Sequence, residues 1–320
     1  MRNAVVNRLF ELAEKDDRIF LVTGDLGFGV LTDFAEKFPR QFLNAGVAEQ
    51  NMTALAAGLA LEGYVVFTYS IGNFPILRCL EQIRNDICYH DAPVKIVSVG
   101  AGFSYGPLGM SHHATEDLAI LRALPNMLVS CPSDPYQAAF IVDELIQHPG
   151  PCYLRIDKSC ADAPPQNREA FTFGAARQIR EGSDLTLIAS GGILKEAILA
   201  AEHLARQNIR ARVLDVHCLK PLDGESVRRA AETTGGIITI EEHSVIGGLG
   251  GAVAEFCMES GVHPGFFSRI GLKDTYSSLV GSQTYLRQCY GLDASAIVKV
   301  AERHLGRGIV QESVSLESGR

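Results

Sequence analysis

Phe42-Leu43-Asn44-Ala45-Gly46-Val47-Ala48-Glu49-Gln50-Asn51-Met52 is the stretch on which the reading turns. A short strand ends at Ala45-Gly46, and a helix opens near Glu49. An acid in the first turn suits the positive end of a helix dipole, so this run alone needs no function. Outward from it, short apolar strands alternate with helical periods. Strands are predicted at Ile19–Thr23, Val65–Thr68, Val94–Gly100, Met127–Ser130, Leu185–Ala189, Ala211–Asp215 and Gly236–Glu241. Helices are predicted over Ala48–Leu61, Leu77–Tyr89 and Lys195–Gln207, with an amphipathic one in residues 1–18 carrying Val5, Leu9 and Leu12 on one side. Such alternation implies an α/β protein of mostly parallel sheets covered by helices.

The 320 residues suffice for two domains with full cores. A polar, proline-containing stretch, Ala161-Asp162-Ala163-Pro164-Pro165-Gln166-Asn167, reads as a break. It divides residues 1–165 from 175–305, with 166–174 as linker and 306–320 as a flexible tail. The net charge of −8 offers no basic excess for a nucleic-acid backbone. The longest apolar stretch, Met52–Leu61, is too short to span a bilayer. None of the 8 cysteines pair at C-x-x-C spacing, so no zinc or redox motif is read, and a cytoplasmic protein with reduced thiols is expected.

The Gly46–Met52 run resembles the pyrimidine-binding motif of the transketolase family, G-[IV]-A-E-Q-N-M. Further segments match that family in order: Thr23-Gly24-Asp25-Leu26, Arg78-Cys79-Leu80-Glu81-Gln82-Ile83-Arg84-Asn85-Asp86, Ser111-His112-His113-Ala114-Thr115-Glu116-Asp117-Leu118-Ala119, Leu124-Pro125-Asn126-Met127 and Pro132-Ser133-Asp134. The resemblance implies a pyrimidine-binding domain in 1–165, a transketolase C-terminal domain in 175–305, and thiamine diphosphate as cofactor. It gives Glu49 the role of hydrogen-bonding the aminopyrimidine, buried and sharing a proton when the cofactor is present. Asp25 and Arg78 fall in cofactor-side segments. Phe74 and Tyr69 are both candidates for the stacking aromatic, with Phe74 favoured. His112 matches a histidine that faces substrate hydroxyls, and His113 follows it where the family more often has Gln.

The chain contains no Gly-Asp-Gly, which the family uses with a later Asn to hold Mg²⁺ and the diphosphate. The resemblance thus implies a separate diphosphate-binding subunit that carries the metal, none being held here, in an α₂β₂ assembly with an exposed apolar docking surface on this chain. It departs from the family at the substrate end. The aspartate that contacts the donor sugar becomes Leu108, a phosphate-contacting histidine falls at Gly100, a serine near Gly29, and an arginine near Lys158. Arg2, Arg155 and Lys158 remain as candidate anion contacts, for a sugar or sugar phosphate.

In the second domain, Gly247-Gly248-Leu249-Gly250-Gly251 lacks dinucleotide spacing and reads as a strand-to-helix turn. Glu242 and His243 read as structural or edge-of-site residues. The leading function is the small subunit of a two-chain transketolase moving a two-carbon ketol unit from a ketose to an aldehyde. The alternatives are a 2-oxoacid dehydrogenase β subunit, a deoxyxylulose-phosphate synthase relative, or a non-catalytic regulatory subunit of the same fold.

Overall fold

A computed structural model describes residues 1–161, 163 and 167–306. Pro164–Gln166, most of the expected tail and Asp162 lie outside the described residues. Two sheets carry the fold. The first runs β10-β5-β6-β4-β3-β1-β2, the second β12-β11-β8-β9-β7. The strands are β1 Ile19–Thr23, β2 Phe42–Asn44, β3 Val65–Ile71, β4 Val94–Val99, β5 Leu128–Ser130, β6 Cys152–Ile156, β7 Arg177–Arg180, β8 Leu185–Ala189, β9 Ala211–Asp215, β10 Cys218–Lys220, β11 Ile237–Ser244 and β12 Phe267–Leu272.

Pairing is parallel throughout except at β10 with β5 and β7 with β9. Strands β4, β5 and β6 are buried along their whole length, as parallel strands covered on both faces must be. The N-terminal helix Arg2–Ala13 buries Val5, Val6, Leu9 and Ala13, while Leu12 is only half-buried. The predicted helix Leu77–Tyr89 is wound unevenly: a 3₁₀ turn Leu77–Cys79, an α turn Leu80–Gln82 and a π turn Ile83–Cys88. Such π turns recur at functional sites.

The two sheets are not independent. Strand β10 comes from the second half of the chain and extends the first sheet. His217, just before it, is 1% exposed and lies between the rings of Phe171 (5.2 Å) and Phe173 (5.8 Å). Burial, with the Arg177 charge nearby, pushes His217 down to about 4. The folded imidazole therefore stays neutral where the unfolded one takes a proton, so stability is full above about pH 6.5 and is lost as pH falls toward about 4. His217→Gln should remove about 2 kcal/mol of the loss measured by denaturant unfolding between pH of about 7.5 and about 5. Equal slopes in the two proteins would refute this assignment. No described helix is long and apolar enough to cross a membrane.

Candidate active site

The candidate residues hang from the carboxyl ends of the parallel strands of the first sheet, where open α/β sheets form their crevices. Asp25 follows β1, Glu49 follows β2, Phe74 and Arg78 follow β3, the segment from Gly100 to His113 follows β4, and Lys158 follows β6.

Gly46 turns the chain between β2 and the helix Glu49–Leu61 with φ of +73°, a conformation open to glycine at no steric cost. Glu49 is the first residue of that helix and is 4% exposed. The helix's unpaired amides favour a carboxylate there. Arg78 Nη1 donates to Glu49 Oε2 at 3.1 Å. The same guanidinium lies over the Phe74 ring, 4.4 Å from its centroid. Phe74 meets the edge of His112, ring centroids 5.1 Å apart. Glu49, Arg78, Phe74 and His112 thus form one continuous wall. Asp25 stands beside it in a left-handed turn (φ 59°), tied to Asn44 by bonds of 3.0 Å in both directions. Tyr69 is placed differently: it is buried in the core behind the wall, and burial pushes its phenol up to about 12.

His112 is half-buried, its Nδ1 3.1 Å from Ser111 Oγ. His113, grouped with it as a substrate contact, is corrected by the structure. Its side chain turns inward, 3% exposed, onto the edge of Phe103 with Nε2 3.4 Å from the Gly106 carbonyl. Burial lowers its pKa. A second correction concerns Arg155. It is 2% exposed, and its Nε and Nη2 donate to Asp117 (2.8 and 3.1 Å) and to the carbonyls of Ala114 (2.6 Å) and Glu242 (3.1 Å). Nothing in that arrangement leaves it an anion to meet.

Arg2 and Lys158 do share a pocket, about 350 Å³, with Met1, Asn3, Val99 and Asp157. Asp157 is engaged by Ser104 Oγ (2.7 Å) and Arg287 (3.5 Å). Among the described residues neither Arg2 nor Lys158 forms a salt bridge, and no group of three His, Cys, Asp or Glu is placed to hold a metal ion.

Sequence reasoning missed what fixes the segment carrying His112. Glu242, from β11, accepts the Phe103 amide (2.5 Å) and Gln283 Nε2 (2.9 Å) and pairs with Arg287. Burial raises its pKa, and Arg287 opposes that shift. His243 accepts the Ala119 amide on Nε2 at 3.3 Å, and burial pushes it down to about 4. The second domain therefore braces the loop and helix on either side of the His112 turn. The only sequence signal was the pair Glu242-His243 at a strand end.

Residues 1–162 match the family described as the transketolase pyrimidine binding domain, and residues 174–297 the transketolase C-terminal domain. The chain is 39% identical over 302 residues to an apulose-4-phosphate transketolase subunit of Phocaeicola vulgatus, covering 94% of this chain and 96% of that one. It is equally similar, 39% over 302 residues, to a 6-deoxy-6-sulfo-D-fructose transketolase subunit of a Clostridium species, covering 94% and 93%. Among solved structures, a split-gene transketolase described as an inactive beta4 tetramer superposes with a TM-score of 0.85 at 38% identity, covering 95% of this chain and 97% of that one.

Proposed function

The chain belongs to the transketolase family as its pyrimidine-binding and C-terminal domains, and from that premise we propose that it is the small subunit of a two-chain thiamine-diphosphate enzyme transferring a two-carbon ketol unit from a ketose to an aldehyde. The observation that carries this reading is the buried carboxylate of Glu49, joined through Arg78 to Phe74 and His112 in one wall.

The wall fits the pyrimidine half of the cofactor: a buried carboxyl at a helix N-terminus beside an aromatic face. When bound, thiamine diphosphate supplies the carbanion chemistry. Glu49 orients the aminopyrimidine and exchanges its proton. Phe74, rather than the core residue Tyr69, packs against the ring. Asp25 lines the cofactor side. His112, half-buried at the end of the wall, hydrogen-bonds substrate hydroxyls and moves protons there. Arg2 and Lys158 receive the anionic end of a sugar substrate. The relatives named for a ketose phosphate and for a sulfo-ketose support that assignment.

A partner chain is expected to bring the diphosphate and Mg²⁺ site. Supporting this, the helix that Glu49 opens turns an apolar face outward, with Leu55 38% exposed, Leu61 60%, and Ala54 and Gly58 between them, and Val47, in the turn before it, is 76% exposed. A patch of that kind marks a docking surface. The reading takes the assembly to be α₂β₂ and cytosolic.

Calorimetric titration of thiamine diphosphate with Mg²⁺ into the chain, alone and mixed with a candidate partner subunit, tests the reading. Tight binding in the mixture only, followed by ketol transfer, is the expected result. Tight binding by the chain alone would sink the shared-site arrangement, and pyruvate decarboxylation without ketol transfer would sink the reaction.

A further inference from the structure

Gly100 follows β4 with φ of +111°, and a Cβ there would lie 2.3 Å from Cδ2 and Cε2 of Tyr105. The Tyr105 ring rests on bare backbone, so the glycine and the tyrosine are two parts of one feature. Where the family resemblance expects a phosphate-contacting histidine, the side chain has been withdrawn and its space filled from a loop five residues on. The other face of the feature is electrostatic. Lys158 Nζ sits 3.5 Å from the centroid of the Tyr105 ring. The ring also stands 6.4 Å from that of His112. It therefore lies between the His112 wall and the pocket of Arg2 and Lys158.

We propose that Tyr105 is a specificity-determining residue: held on Gly100 and capped by the Lys158 ammonium, it spaces the reacting end of the substrate from its far end and admits ketoses whose far end is a compact oxyanion, a phosphate or a sulfonate. Two cations without a carboxylate partner among the described residues face this spot, since Asp157 is engaged by Arg287 and Ser104. Burial and the neighbouring Arg2 lower the Lys158 pKa, the mark of a cation short of counter-charge. An anion would relieve both. The Tyr105 hydroxyl has no protein partner among the described residues; burial raises its pKa, and the Arg2 charge opposes that shift. A ring kept only to fill space would need no hydroxyl; this one is free to donate to the anion.

The inference rests on the ketol-transfer reading for the identity of the substrate, but anion binding is read without turnover, so either can fail alone. The chain has no tryptophan. Tyr105→Trp in the full chain thus places a single indole under the Lys158 ammonium. Inorganic phosphate or methanesulfonate should change its emission saturably, with chloride at matched ionic strength inert. Lys158→Met in that background should weaken the response about tenfold. A response to phosphate alone assigns a phosphate end, and a response to methanesulfonate alone a sulfonate end. No saturable response to either, or one untouched by Lys158→Met, overturns the proposal. Should Tyr105→Trp not fold, calorimetry of both anions into the native chain and into Tyr105→Leu decides: equal affinities overturn it. In the assembled enzyme, Tyr105→Leu should raise KM for an anionic ketose about tenfold with kcat retained. A fall in kcat at unchanged KM would overturn it too.

Discussion

Glu49→Gln in the assembled two-chain enzyme should lower kcat about 10²–10⁴-fold while leaving the chain folded. The exchange keeps the size of a side chain that is 4% exposed, and the amide oxygen can still accept from Arg78 Nη1, 3.1 Å away in the native protein. What disappears is a group that can give up and take back a proton at Oε2. In the proposed arrangement substrate is held elsewhere, by His112 and the Arg2–Lys158 pocket, so KM should change little, the signature of an interaction made on the way to the transition state. Stability should move by no more than about 1 kcal/mol, since Arg78 is half in solvent and already screened. Steady-state kinetics beside a thermal melt check both parts. An unchanged kcat would turn the chain into a regulatory scaffold and end the catalytic reading.

Glu49 was legible in the sequence because everything that places it is local: a strand end, a glycine turn and the first turn of a helix. The strands β1, β8 and β9 were legible for the same reason, being short apolar runs with clean ends. Strand β6 was not, because Arg155 interrupts Cys152–Ile156 with a charge whose partner, Asp117, is 38 residues away. A charge in an apolar run looks like surface until its counterion is found. Strand β10, three residues long, was hidden because its pairing partner belongs to the other half of the chain. His112 and His113 could not be told apart, since they end an irregular turn whose two sides no periodicity separates. Tyr69 and Phe74 were ambiguous because β3 is covered on both faces, so alternation along it says nothing about which way Tyr69 points, and Phe74 lies past the strand's end, where no periodicity applies. The Tyr105–Gly100 packing needs a chain reversal that only coordinates reveal.

Arg155→Met should destabilise the fold by about 3–5 kcal/mol, since it strands a buried carboxylate. Asp117 is 1% exposed, and burial works against its charge; Arg155 and the Tyr153 hydroxyl, 2.5 Å away, nonetheless hold its pKa below the usual carboxylate range. Without the guanidinium only Tyr153 would remain to it among these partners, and the carbonyls of Ala114, which keeps the Gly102 amide, and of Glu242 would each lose the Arg155 donor. The last of these belongs to the second sheet, so the loss should also loosen the brace on the His112 segment. Asp117→Asn added to Arg155→Met should recover a large share of the stability, because the stranded charge is then gone and the remaining amide can share the Tyr153 hydroxyl. Denaturant midpoints of the single and double variants measure this coupling. A substrate contact would behave in the opposite way: Arg155→Met would raise KM for anionic substrates, keep its midpoint, and gain nothing from Asp117→Asn.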